Sequence, residues 1–495
     1  MPAGYLRPLW LFSCLAAGVA AVIVLGLTDE QDFVQMSVAA LVVTLSCVSL
    51  VALRWGADFS RAPLFWIVLF CFFHFGLVWT LGLLGEDRVA QVSSTALYWI
   101  HTPYLRPAVT VAAIGALVYS LVVAASAPRT TNRGLAVVQD PDQSRQRRTL
   151  SRAGLLLQVL GVAVLAYTIV RNGGLGLLSG GYLAFLESAQ DSTTGYAIWA
   201  VGVGSSLTQV GTSNVRRLGL GVFVGFAVVL FPLGLRGSVL FPAAVLFATR
   251  SLIGRRVRGP VLVTAAVLAL AGSAIVRSTR VGRQSSDSGV LDGVVSTITE
   301  LGFSIRPTAE ALRWANTGQE PTWFVSFVAV PLRLVESLTG WHGGPPTPDY
   351  RLFNVKVNDL VGAIGGSPVA EGYDAAGTVG VAVVLGVIGF VLSRVARGPF
   401  DTAVSLALFP VIVLPLTIAV RNSFAPVIPQ ILLGLAVVFL ARLRARSAQA
   451  PTGARPKDVG RAEPGGMPGR PNASARPEAR ARTSKVRRAE HTRVV

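Results

Sequence analysis

Apolar runs of roughly 20 residues recur along the chain, each long enough to cross about 30 Å of hydrocarbon. Twelve can be delimited, at about 9–27, 34–53, 63–85, 107–125, 153–170, 195–213, 218–234, 238–253, 260–277, 376–393, 402–420 and 424–441. Polar positions inside them are sparse and show no alternation of period two, so the dyad pattern of a membrane barrel is absent. Backbone in lipid must satisfy its own hydrogen bonds, and the runs are therefore predicted to be helices. The expected fold is all-α: a polytopic helical membrane protein of about 12 transmembrane helices over residues 1–441. The run 9–27 imitates the core of a signal peptide. It is longer than such a core and another run follows at once, so a retained first helix is expected.

The polar intervals are short, with two exceptions. Residues 278–375 form a large loop, predicted extracytoplasmic, and long loops of this kind are usually functional or disordered. Its composition does not read as disordered. The stretch "VVSTITELGFSIRPTAEALRWA" is amphipathic with an Arg-Pro break. The stretch "WFVSFVAVPLRLVESLTGW" is apolar but interrupted by Pro331, Arg333 and Glu336. It reads as an interfacial helix with Trp323 and Trp341 as aromatic anchors. The second exception is 442–495, rich in Pro, Ala, Gly and Arg with almost no large apolar residue. It cannot bury enough surface to fold and is expected to be a disordered, basic cytoplasmic tail.

Composition agrees with a membrane protein. Only 14% of residues are charged and 52% are hydrophobic, against roughly a quarter charged in soluble domains. Lys and Arg are unevenly spread. With both termini in the cytoplasm, the short inner loops hold 17 of them and the short outer loops five: Arg88, Arg106, Arg171, Arg236 and Arg421. That bias places the chain in the cytoplasmic (inner) membrane as a multi-pass protein. It also accounts for most of the net charge of +19, through topology and attraction to anionic membrane lipid. No nucleic-acid partner is needed. Cys14, Cys47 and Cys71 sit in apolar runs without CxxC spacing, and His74, His101, His342 and His491 are scattered. No metal or other cofactor is expected.

The outward arginines oppose the usual bias. Arg236 stands in "FPLGLRGSVLFP" and Arg421 in "IAVRNSFAP", both tight turns, while Arg277, Arg280 and Arg283 leave the ninth run in "VRSTRVGR". Arginine this close to hydrocarbon needs a partner or must snorkel to the headgroups. Taken together they read as a basic cluster for an anionic ligand, because guanidinium forks match phosphate oxygens. A diphosphate at the membrane surface is the natural ligand. Gly234 and Gly237 around Arg236 suit either close backbone approach to a ligand or a plain turn.

Just before the tenth run comes "GGSPVAEGYDAAGTVG". Ser367 suits an N-cap and Pro368 a first helical turn. Glu371 is either a helix-end acid complementing the dipole or an acid at a cavity facing the arginines.

The string Gly365-Gly366-Ser367, Ala370-Glu371-x-Tyr373, Gly377-x-x-Gly380, opening a late span, resembles the motif of Wzy-type O-antigen and oligosaccharide repeat-unit polymerases. The Leu235-Arg236-Gly237 turn resembles a second feature of that family, and so does the large loop followed by few spans. The resemblance covers roughly 150–440. It implies a GT-C-like membrane glycosyltransferase that joins polyprenyl (undecaprenyl) diphosphate-linked repeat units on the outer face of the membrane. It also implies a chain-length regulator and a flippase as partners. Arg236 matches a family position; Arg277, Arg280, Arg283 and Arg421 follow by location alone.

Such chemistry asks for charge stabilisation on a departing phosphate and a carboxylate to take the acceptor proton. Glu371 and Arg236 are the expected catalytic pair. The base could instead be Asp374 or Asp359, with His342 a further candidate, and Asp359 could equally cap a helix or bind sugar. Tyr373, Trp323 and Trp341 could stack on sugar rings. A ligase of the same superfamily, a polysaccharide or lipid transporter, and a non-catalytic scaffold remain as competing readings.

Overall fold

The computed structural model describes residues 3–29, 32–56, 58, 61–92, 97–128, 141–173, 192–231, 235–254, 264, 272, 290–341, 346–362, 364–398, 400 and 402–447. Among them the chain is helical, with no strand. In order the helices are α1 (Ala3–Leu27), α2 (Phe33–Trp55), α3 (Ala62–Leu84), α4 (Glu86–Val92), α5 (Leu97–Ile100), α6 (Leu105–Ala125) and α7 (Pro141–Arg171). There follow α8 (Ser192–Thr208), α9 (Ser213–Leu230), α10 (Arg236–Leu252), α11 (Val290–Gly302), α12 (Arg306–Asn316) and α13 (Val325–Thr339). The last are α14 (Phe353–Leu360), α15 (Pro368–Arg397), α16 (Ala403–Ile418) and α17 (Val427–Ser447).

Eight of these are long and apolar enough to cross a membrane: α1, α2, α3, α6, α7, α9, α15 and α17. The protein is thus an all-α, polytopic membrane protein. Three further predicted spans fall on shorter helices. These are α8 and α10 with 17 residues each and α16 with 16. They pack on one another. Of the predicted span 260–277 only residues 264 and 272 are described. The tail expected from 442 begins later: α17 runs on to Ser447, because Ala, Leu and Arg continue a helix at little cost, and 448–495 lie outside the described residues. So do Arg277, Arg280, Arg283, His342 and Gly234.

The first helices form a group in which α2 packs on α1, α3 and α6. Their ends are tied by side chains reaching backbone carbonyls. Arg106 donates to the carbonyls of Gly26 and Thr28 at one end of the bundle, and Trp55 Nε1 to Val123 at the other. The Trp55 bond is buried and satisfies a donor that would otherwise be costly to enclose. The main core joins this group to α15 and α16, with Trp66, Phe70, Phe75 and Phe409 fully enclosed. A smaller core lies between α7, α8, α9 and α10, around Val201, Phe226 and Leu230.

The loop predicted at 278–375 carries four α-helices, α11 to α14, and folds back onto the bundle. Its Arg-Pro break is real: a 3₁₀ turn over Phe303–Ile305 separates α11 from α12, with Pro307 in the first turn of α12. Proline fits there because first-turn amides have no partner within the helix. Helix α11 lies along the last turns of α3, joined by Thr299 Oγ1 donating to Thr80 Oγ1 at 3.0 Å. Contact is so close that a Cβ at Gly302 would collide with the backbone of Leu77.

Candidate functional site

The segment "GGSPVAEGYDAAGTVG" begins as its residues dictate. Ser367 Oγ accepts from the Ala370 amide at 3.1 Å as the N-cap of α15, and Pro368 is its first residue. Eight residues later the helix breaks: Ala376 (φ −160°, ψ 36°) and Gly377 (φ 61°, ψ −148°) leave helical geometry. A left-handed φ at Gly377 suits glycine alone without strain. The kink removes the helical partners of the Asp374 and Ala375 carbonyls. Thr322 and Trp323 replace them, donating their backbone N–H groups at 2.9 and 3.0 Å.

Glu371 sits on the short segment before this kink and is 1% exposed. It does not complete a capping box on its own helix. Its Oε1 accepts the backbone N–H of Phe424 at 2.6 Å, in the turn between α16 and α17. The hydroxyls of Ser326 and Ser423 stand beside the carboxylate. Its Oε2 is buried and, among the described residues, makes no well-formed hydrogen bond. A buried carboxylate oxygen left this way is costly, and such groups concentrate at functional sites.

The same turn carries Arg421. Its guanidinium lies over the Phe73 ring, 5.8 Å from the centroid. Phe73 in turn meets Phe241 of α10 at 5.7 Å, and Arg236 is the first residue of α10. Residues 365–366 pack directly beneath: a Cβ at Gly366 would stand 2.9 Å from the Ser423 amide nitrogen. Glu371 and Arg421 thus share one turn, and an aromatic pair links that turn to Phe241, five residues into α10 from Arg236. Phe73 lies 11 residues before the end of α3, about 16 Å along the helix at 1.5 Å per residue.

Arg236 has a partner that sequence reasoning missed. Its Nη1 stands 3.5 Å from Glu300 Oε2 on α11. The only signal was the amphipathic stretch carrying Glu300; nothing in the spacing of 236 and 300 links them.

Other expected site residues lie apart from this group or are already engaged. Asp374 accepts from Lys356 Nζ at 2.6 Å, and that ammonium sits 4.7 Å above the Trp314 ring. Tyr373 packs against the apolar cluster of Trp314, Phe353 and Val357. Asp359 is exposed and hydrogen-bonded to the Tyr350 hydroxyl, which raises the pKa of that phenol. Trp323 and Trp341 are both exposed.

A second missed cluster links α13 to the following loop. Arg351 forks onto Glu336 at 2.7 and 2.8 Å and also reaches Asp349 at 2.8 Å, while Arg333 lies 3.4 Å from Asp349. Burial alone would raise the Asp349 carboxyl. Hydrogen bonds from the Arg351 side chain and amide, with the charges of Arg351 and Arg333, hold it below its ordinary value instead. The bonds to Glu336 and then Asp349 raise the Arg351 guanidinium further. This cluster is internally satisfied and holds the loop to the helix.

Comparison with protein-family models, with curated proteins and with solved structures finds no match to this chain.

Proposed function

We propose that the protein polymerises polyprenyl-diphosphate-linked oligosaccharide repeat units into a surface polysaccharide, on the outer face of the cytoplasmic membrane. The observation that carries this reading is the enclosed Glu371 carboxylate that anchors the turn bearing Arg421; the Arg421 guanidinium lies over Phe73, which meets Phe241 of the helix that Arg236 opens.

The chemistry is a glycosyl transfer. An acceptor hydroxyl oxygen forms the new bond to the anomeric carbon of the donor glycan. The bond from that carbon to the diphosphate oxygen breaks, and the lipid diphosphate leaves with the electron pair. Arg236 and Arg421 stabilise the charge that develops on it. Glu371 takes the acceptor proton. In the observed arrangement Glu371 is enclosed and Arg236 is paired with Glu300, so substrate must open the first and compete for the second.

Inactivation of the gene, followed by sizing of the surface glycan and of the lipid-linked pool, tests the proposal. Loss of long chains with accumulation of single repeat units on the carrier is expected. Long chains accumulating on the carrier would point to a ligase, and an unchanged glycan would end both readings.

A further inference from the structure

We propose that α13 is a lipid-seated lid over Glu371, hinged at Trp323 and Phe324. Those two residues have φ values of 49° and 64°. Left-handed backbone is unfavourable for any residue with a side chain, and more so for bulky ones. Two in succession store strain that the surroundings must hold in place. The clamp is visible: the Thr322 and Trp323 amides are held by the carbonyls that the α15 kink releases.

What the hinge carries is the cover of the carboxylate. The second residue of α13 is Ser326, 2% exposed, with its hydroxyl beside Glu371. Phe327, one residue on, meets the Phe424 ring at 5.1 Å. Glu371 therefore has the Phe424 amide on one side and the start of α13 on another. At the far end, α13 stops at Gly340 in left-handed geometry.

The two faces of α13 fit a lid resting in lipid. Ser326, Ala329, Arg333 and Glu336 share the inner face, where the last two join the Asp349–Arg351 cluster. Val328, Val335 and Leu338 share the opposite face and are exposed, Leu338 to 77%. Exposed Trp323 and Trp341 stand at its two ends. An apolar face bounded by tryptophans is the signature of a helix lying in the membrane interface. The occupant of that face is lipid, supplied by the same bilayer that holds the spans. That the opening admits a lipid-borne acceptor rests on the proposed glycan transfer; the lid itself does not.

The test uses the full-length protein in phospholipid nanodiscs. Ser326→Cys places a thiol of near-identical size under the lid, and a water-soluble maleimide reads how often it opens, with the parent protein as blank. Trp323→Gly removes the left-handed cost from the closed state, while Trp323→Ala removes only the ring. Labelling is expected to be slower in the glycine background by roughly fivefold or more, the cost an L side chain carries in that region. Equal rates in the two backgrounds, or no labelling in any, would overturn the lid. A nitroxide on Leu338→Cys is expected to collide with oxygen more than with a water-soluble nickel chelate; the reverse order would remove the lipid seat. A lid that opens in a protein without glycan transfer would sink the proposed function and leave this inference standing.

Discussion

The Glu371 carboxylate accepts the Phe424 amide at 2.6 Å, across 53 residues of chain. One acid thereby fixes the height of the turn that presents Arg421. It serves as an anchor for that turn and, in the proposed reaction, as the group that receives a proton.

Two substitutions separate these roles. Glu371→Gln keeps an oxygen for the Phe424 amide and should leave thermal unfolding in detergent nearly unchanged, while long-chain glycan disappears. Glu371→Ala strips the amide of its acceptor and should cost about 1–3 kcal/mol in addition. Full-length glycan from the glutamine variant would reduce Glu371 to an anchor.

Arg236→Lys keeps a charge but loses the guanidinium fork. Polymer formation should fall by roughly 10²–10³-fold, the usual effect of removing one donor to a developing oxyanion. Membrane insertion and expression should not change, as checked by immunoblotting of the membrane fraction. Wild-type chain length would remove Arg236 from the site.

Gly302→Ala should push α11 off α3, because the added methyl would meet the Leu77 backbone. Overpacking of this kind costs about 1–3 kcal/mol. Since Glu300 rides on α11, the Arg236 pair should loosen with it. Unfolding temperature and glycan length, measured together, should both fall.

The Asp349 cluster predicts an acid-labile loop. Its carboxyl is held below the ordinary value of 3.8, so the stabilisation is complete above that pH. It is lost as pH falls through the lower folded value. Hydrogen exchange across residues 333–351 should rise only below about pH 4. Arg351→Ala should bring the same rise at neutral pH, since it takes the bidentate partner from buried Glu336 and leaves Asp349 with Arg333 alone; losing one partner of a buried pair costs up to about 3–5 kcal/mol.

Truncation after about residue 450 should leave polymerisation unchanged, as read by glycan sizing. Shortened chains would give the tail a role that its composition does not suggest.

Much of the fold was legible because hydrocarbon imposes a simple rule on sequence. Runs such as 63–85 must be apolar throughout, and a helix is the only form they can take. The N-cap at Ser367 and the break before α12 were legible too, since capping and proline act over a few residues. The positions of α8, α10 and α16 were legible as well, as helices of 17, 17 and 16 residues.

The pairings of the site were not legible. An all-helical membrane chain, the starts of its helices, and an acid and arginines near their ends could be read residue by residue, because solvation and backbone hydrogen bonding are settled within one or two turns. That Glu371 meets Phe424, that Arg236 meets Glu300 and that Arg421 lies over Phe73 emerged from packing alone. Those contacts join residues 53, 64 and 348 positions apart. No local periodicity encodes them; they exist because helix packing brings distant turns to the same depth.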